Sequence, residues 1–442
     1  MSTNSSNLRL KKLAAGLSTA FALIGMGSSA FASVLTVTSC ADTNAAGTLR
    51  TLAAASANGD QIDLSQLSCP GNTLTLSQGE IVFAHTVSLV GPANAALTIA
   101  GDGAHRVLNS TSIDKPVSSL TLLNLHIAGG AVNTDSDDAQ GGCILATSDL
   151  TLSNSTVSGC TASSVSGAAR GGAIYAQNVT LQSSRVSGNV AYAGGAYQSS
   201  RGGGVHAYSL SCTDSSLSEN LAAASYVWSG QGGGALILGG DADLTRCTVD
   251  GNEAGQGAGM MQFVFGSFSS NTIIKNSTIS GNMGDGGDGG MGVFCADCTP
   301  NPVQVLNSTI AFNTAQPGYA AGLSSNGAVI AQSSIFAKND NSADGHRRID
   351  ADLVATSVSG SNNLVMSTST PHGAGVITSS ADPQLQALAN NGGFTQTHAL
   401  SNTSPARNQG NNTAGLATDQ RGPGFSRTIS GMADMGAYQH QN

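Results

Sequence analysis

The segments TLSNSTVSGC (151–160), TLQSSRVSGN (180–189), CTDSSLSEN (212–220), LTRCTVDGN (244–252), IIKNSTISGN (273–282), VLNSTIAFN (305–313) and IAQSSIFAKN (330–339) end alike. Their last residues, Cys160, Asn189, Asn220, Asn252, Asn282, Asn313 and Asn339, stand 29, 31, 32, 30, 31 and 26 residues apart. A fixed period of this length marks a repeat architecture, in which each unit buries its apolar face by stacking on the next. Alignment gives an apolar column three places before the end (Val157, Val186, Leu217, Val249, Ile279, Ile310, Phe336) and another eight before it (Leu152, Leu181, Cys212, Leu244, Ile274, Val305, Ala331). Five places before the end runs a small polar column: Ser155, Ser184, Ser215, Cys247, Ser277, Ser308 and Ser334. The residues between are mostly polar, which is the two-residue alternation of strands with one buried face.

Each unit also carries a glycine signature before an apolar residue: GGCI (141–144), GGAI (171–174), GGGV (202–205) and GGGAL (232–236), then weaker forms in GAGM (257–260), GGMGV (289–293) and AGL (321–323). Paired glycines suit a tight corner that needs positive φ or close backbone approach. Strand and corner in alternation, once per period, predict an all-β fold: a right-handed, single-stranded parallel β-helix. The six terminal asparagines are expected at one corner, in the left-handed region, as a side-chain ladder. A β-propeller blade needs roughly 40–50 residues, so the period disfavours it. Glycine, at 57 of 442 residues, and a charged fraction of only 10% fit a solenoid of many corners and uncharged ladders.

Residues 1–32 read as an export signal: Lys11 and Lys12, an apolar stretch, then Ala30-Phe31-Ala32 as the cleavage site. Its removal takes away three of 17 basic residues and no acids, so the 14 that remain face 26 acidic residues, a net charge of −12. Such a surface does not suit nucleic acid, and no later segment approaches the roughly 20 apolar residues of a membrane helix. All eight cysteines lie in the exported part, where disulfides are permitted. Cys40 with Cys69, and Cys143 with Cys160, are the expected pairs. Cys212 and Cys247 replace column residues in adjacent units and either pair across a corner or stay as buried thiols. Cys295 and Cys298 form a lone CxxC with no further zinc ligands nearby, so a local disulfide is expected.

The remaining boundaries are an N-terminal cap at 33–72, with a short helix over 47–58, the β-helix at 73–380 and a different module at 381–442. Three stretches carry a resemblance. ADPQLQALANNGGFTQTHALSNTSPARNQGNN (381–412), TDQRG (418–422) and ADMGAYQ (433–439) resemble the bacterial choice-of-anchor Q domain. CADTNAAGTLRTLAAASANGDQIDL (40–64) is similar to the start of exported β-helix proteins that carry this domain, and the repeats resemble the polymorphic outer-membrane protein class. The resemblance implies a bacterial surface or secreted protein, with adhesion the usual proposal. No sorting signal or barrel segment follows GAYQHQN (436–442), so a free secreted or periplasmic form is expected as readily as an anchored one.

The expected function is non-enzymatic, a scaffold for binding or adhesion to a glycan or a cell-surface partner, with no cofactor. The alternatives are a polysaccharide lyase or glycoside hydrolase, and a structural envelope component. Rings stack on sugar faces, so Tyr192, Tyr197, Tyr208, Tyr226 and the only tryptophan, Trp228, are the candidate ligand residues. Sugar cleavage needs carboxylates with an acid or base; the candidates are Asp344, His346, Arg347 and Asp350, in a loop that also holds Asp352. Asp250 and Glu253 with Arg185 and Arg246 would share a lateral face of the rod. GDGGDGGMG (284–292) makes Asp285 and Asp288 metal candidates.

Overall fold

A computed structural model describes residues 32–94, 97–111, 118–266, 270–298, 300–342 and 350–441. The export signal, apart from Ala32, lies outside the described residues. The chain from Ala32 on forms a single compact unit, a parallel β-solenoid built from sheets of 19, 12, seven and four strands, with one two-stranded hairpin.

One turn illustrates how the sequence makes a coil. Gly171 (φ 65°) and Gly172 turn the corner, and a Cβ at Gly171 would lie 2.0 Å from the Ile174 carbonyl oxygen. The strand Ile174–Gln182 then enters the 19-stranded sheet. Ser183 turns the chain at φ 46° into Arg185–Ser187 of the 12-stranded sheet. Gly188 (φ 65°) turns it again into Val190–Ala193 of the seven-stranded sheet. Ser200–Arg201, in the four-stranded sheet, closes the turn. The repeat columns are in register as expected: Val157, Val186, Leu217, Val249, Ile279, Ile310 and Phe336 pair in succession, and all are fully buried.

The terminal asparagines form a continuous interior ladder. The amide Nδ2 of Asn189 donates to Oδ1 of Asn220 at 2.8 Å, and the pattern continues through Asn252, Asn282, Asn313 and Asn339 at 2.8–2.9 Å. One expectation is corrected: these asparagines do not occupy the left-handed region. The residue before each does, as at Gly188, Glu219, Gly251, Gly281, Phe312 and Lys338, because the kink must precede the side chain that it turns inward. Asparagine takes positive φ at the other corner, at Asn124, Asn154, Asn276, Asn307 and Asn362. The serine column is a second ladder, each hydroxyl accepting a backbone N–H of the preceding coil, as from Ser155 to Ser184 at 3.1 Å and from Ser277 to Ser308 at 3.1 Å.

Cys40–Cys69, Cys143–Cys160, Cys212–Cys247 and Cys295–Cys298 are paired, with Cα separations of 5.6, 5.4, 6.4 and 5.5 Å, within the span a disulfide bridges. Cys160 takes an asparagine-column place and Cys247 a serine-column place, so a covalent link stands where the ladder residue is missing.

The N-terminal helix is shorter than expected, Leu49–Ala55, capped by the Thr48 side chain, with Leu49 and Ala53 buried. Arg50 clamps it to the rod: it pairs with Asp42 at 2.8 Å and donates to the carbonyls of Gly79 and Glu80 at 2.7 and 2.8 Å.

The C-terminal segment folds back onto the outside of the 12-stranded sheet. Gln420 of TDQRG receives a bond from the Thr278 hydroxyl at 2.6 Å and donates to that of Thr248 at 2.8 Å. Asp419 and Arg421 form a buried ion pair at 2.6 Å, and the Arg421 guanidinium lies 3.9 Å from the ring centres of both Phe425 and Tyr438. Leu400, Ala406 and Met435 pack on Ile335, Ala337 and Leu364 of the rod.

Val249, buried under this stack, supplies a test of the columns. Val249→Asp is expected to cost at least about 3 kcal/mol, because it buries an unpaired charge. Ser187→Ala, on a half-buried outer position, is expected to stay within about 0.5 kcal/mol. Denaturant unfolding followed by circular dichroism compares the two; equal losses would refute the assignment.

Candidate functional site

Outward residues of the 19-stranded sheet should be polar where they meet water, and over several coils they are not. In register there stand Leu145, Tyr175, His206, Leu236, Met261, Gly292 and Ser324. A second outward column holds Leu238, Phe263 and Phe294. The rings interact along the stack: Tyr175 with His206 at 5.1 Å between centroids, and Phe263 with Phe294 at 6.2 Å. Burial, with the nearby Arg201 and Arg170 charges, pushes the His206 imidazole down to about 3. It is therefore a neutral ring at physiological pH and serves as a stacking plane.

Gly292 interrupts the first column, and the side chains of Met261, Phe294 and Asp288 that close over it line a cavity of about 540 Å3, in the range of ligand pockets. A Cβ there would come 2.7 Å from Met261 Sδ, 2.9 Å from Phe294 Cε2 and 3.4 Å from Asp288 Oδ2, so the glycine lets these three side chains converge at the edge of the site. Phe263, Phe294 and Tyr319 wall it, and Trp228 packs behind Tyr319 at 5.5 Å. Asp288 is its ionisable group. It is 5% exposed, and its Oδ1 accepts the Ala320 N–H at 3.2 Å. Burial pushes its carboxyl up to about 7, against the opposing pull of the Ala320 amide and Ser324 hydroxyl. The site thus offers aromatic faces around one carboxyl that changes charge near neutrality.

The residues singled out from sequence are dispersed. Tyr192 is exposed on the seven-stranded sheet, Tyr197 is 90% exposed at φ 66°, and Tyr226 is exposed beside the turn Val227–Ser229. Tyr208 lies over Gly239 and Gly240, on the same sheet as the cavity, and Trp228 reaches the cavity wall. Asp285 is exposed and faces Glu253, whose carboxyl is held above the usual range by burial and then by the Asp285 carboxylate. Asp288 points the other way, into the cavity, so the two do not converge, and among the described residues no group of three His, Cys, Asp or Glu side chains is placed to hold a metal. Asp344, His346 and Arg347 lie outside the described residues. Asp350 accepts the Ser369 N–H at 2.6 Å. Asp352 is fully buried and ends the asparagine ladder, accepting from Asn339 Nδ2 at 2.8 Å. Of the four residues expected on one lateral face, Arg185 and Asp250 share a cleft, while Arg246 pairs with Asp214 at 2.6 Å.

Phe263, Phe294, Met261 and Gly292 carried a signal that repeat alignment passes over. MMQFVF (260–265) and MGVFCA (291–296) are apolar at both strand parities, so one apolar set has to face outward. No family model, curated protein or solved structure matches this chain.

Because the Asp288 carboxyl is raised from 3.8 to about 7, protonation favours the folded state. Its contribution is full below pH 4 and is lost as pH rises through about 7. Asp288→Asn is therefore expected to match the parent near pH 4 and to exceed it by at least about 1 kcal/mol at pH 8; melting curves across this range check it, and equal curves would contradict it.

Proposed function

We propose that this protein is an exported, non-enzymatic binding scaffold that holds a glycan along the outer face of its long sheet, in the service of surface attachment. The observation that carries this reading is the outward column of apolar and aromatic side chains, stacked coil on coil beside the cavity that Phe263, Phe294 and Tyr319 wall. Aromatic planes repeating at the strand spacing of about 4.8 Å suit an extended chain of rings, each offering an apolar face. Export accords with four disulfides that use every cysteine. Among the described residues no helix is long and apolar enough to cross a membrane. The resemblance of the C-terminal motifs to the choice-of-anchor Q domain supports a place at the bacterial surface or outside it.

A glycan array probed with the mature protein tests the reading, with the glycans analysed afterwards for cleavage. Binding without cleavage is expected. Phe294→Ala is expected to weaken it by roughly twofold to tenfold, from the 0.5–1.5 kcal/mol of one ring contact. Cleavage would replace the scaffold reading with an enzymatic one, and silence across the array would remove the glycan.

A further inference from the structure

A second site lies on another face, where the C-terminal module stops. The outward column of the 12-stranded sheet reads Arg185, Ser216, Thr248, Thr278, Thr309. Under the module every hydroxyl of this column is bonded to it. Thr248 donates to the Gln396 carbonyl at 2.7 Å, Thr278 to Gln420 Oε1 at 2.6 Å, and Thr309 accepts the Ala437 N–H at 3.0 Å. In the next column Ser280 meets His398 Nε2 at 2.8 Å. One coil short of the module the pattern breaks. Ser216 is 7% exposed, and its buried hydroxyl has no partner. A buried hydroxyl left unpaired loses its water bonds without replacement, so the rung is built for something that the chain does not supply.

Ser216 lines a cleft of about 350 Å3 whose other walls show what that is. Asp250 faces it from the coil above, its Oδ1 accepting the Ser218 hydroxyl at 2.7 Å. Glu219, held at φ 56° by its corner, and the exposed Arg185 stand beside it. The module contributes Asn390 and the 43% exposed ring of Phe394. Two carboxylates repel an anion, and the Arg185 guanidinium in the same lining opposes a metal ion. Acceptors, donors and one aromatic plane together suit a neutral ring bearing several hydroxyls. We propose that this cleft is a saccharide-binding site, separate from the groove over Gly292, in which a sugar hydroxyl bonds Ser216, others donate to Asp250 and Glu219, and the ring lies on Phe394. Here the sugar completes the hydrogen-bond column that the module makes on the coils beyond.

Saturation-transfer NMR on the mature protein, with glucose, galactose, mannose and N-acetylglucosamine and their β1,4-linked disaccharides as probes, tests this. At least one probe is expected to bind. Ser216→Ala is expected to weaken it by roughly threefold to tenfold, the worth of one hydrogen bond, and Asp250→Asn to do likewise. The Ser216 hydroxyl bonds nothing in the protein, so this variant is expected to melt no lower than the parent and loss of binding reports the site. Phe294→Ala, in the other groove, is expected to leave this binding unchanged. Binding that survives both Ser216→Ala and Asp250→Asn, binding removed by Phe294→Ala, or no binding of any probe would overturn the proposal. The groove reading stands or falls separately, on Phe294→Ala against long glycans.

Discussion

Everything in this molecule hangs on the need to satisfy polar groups at the inner corner of every coil. Where the 12-stranded sheet meets the seven-stranded one, the chain turns through a left-handed residue and leaves backbone N–H groups facing a dry interior. Asparagine answers both demands of that place. Its Oδ1 accepts the backbone N–H of the corner one coil earlier, as from Asn220 to Asn252 at 2.9 Å, while its Nδ2 donates to the Oδ1 of the next asparagine. The amide is uncharged, so six of them stack without repulsion, and each leftover donor also reaches a carbonyl of the coil before, as from Asn252 to Leu217 at 2.9 Å. Buried polar networks favour a fold only when every member is paired. This one is closed at both ends, by the Cys143–Cys160 bridge and by the carboxylate of Asp352. A slip of one residue in any coil would break it throughout, so the ladder specifies register as strongly as the apolar columns do.

With register set, function falls to the outer faces, and the molecule treats them differently. The C-terminal module covers the 12-stranded sheet from Thr248 onward, which explains why Thr278–Ser280 and Thr309–Ala311 are buried on both faces while Thr156–Ser158 alternates. Its buried ion pair, Asp419 with Arg421, and the fully buried Arg427, which donates to the Gly436 carbonyl at 2.8 Å, make it a rigid cover. The 19-stranded sheet has no such cover. Of its outward columns, Leu236 and Met261 are buried, while Phe263 and Phe294 are half-buried and wall the cavity. Rod and module present an apolar groove and a polar cleft, two surfaces of opposite chemistry on a chain whose charged fraction is only 10%.

The coil and its core were legible in the amino-acid sequence because a solenoid is nearly one-dimensional. A residue's neighbours are the residues one period away, so aligning repeats is equivalent to stacking strands. Val157 to Phe336, the serine column and the glycine corners could be read this way, and so could the pairing of Cys143 with Cys160; the columns placed Cys212 and Cys247 near each other but left a disulfide and two buried thiols equally open. The helix was legible apart from its ends.

The sites were not legible, for a reason of the same kind. Phe294 on its strand meets Asp288 and Tyr319 from loops, and Trp228 packs on Tyr319 from an earlier coil; a periodic alignment carries no information on lateral contacts. The cleft at Ser216 depends on where residues 381–441 fold back, and no local pattern in TDQRG or ADMGAYQ states which coil they meet. Local spacing and repetition thus determined the stack and its interior, because those contacts recur at one fixed separation. The tertiary structure alone decided which outer faces are covered and where hydroxyl, carboxylate and ring converge, because the covering contacts join residues at no fixed separation, 118 positions for Ser280 and His398 and 142 for Thr278 and Gln420.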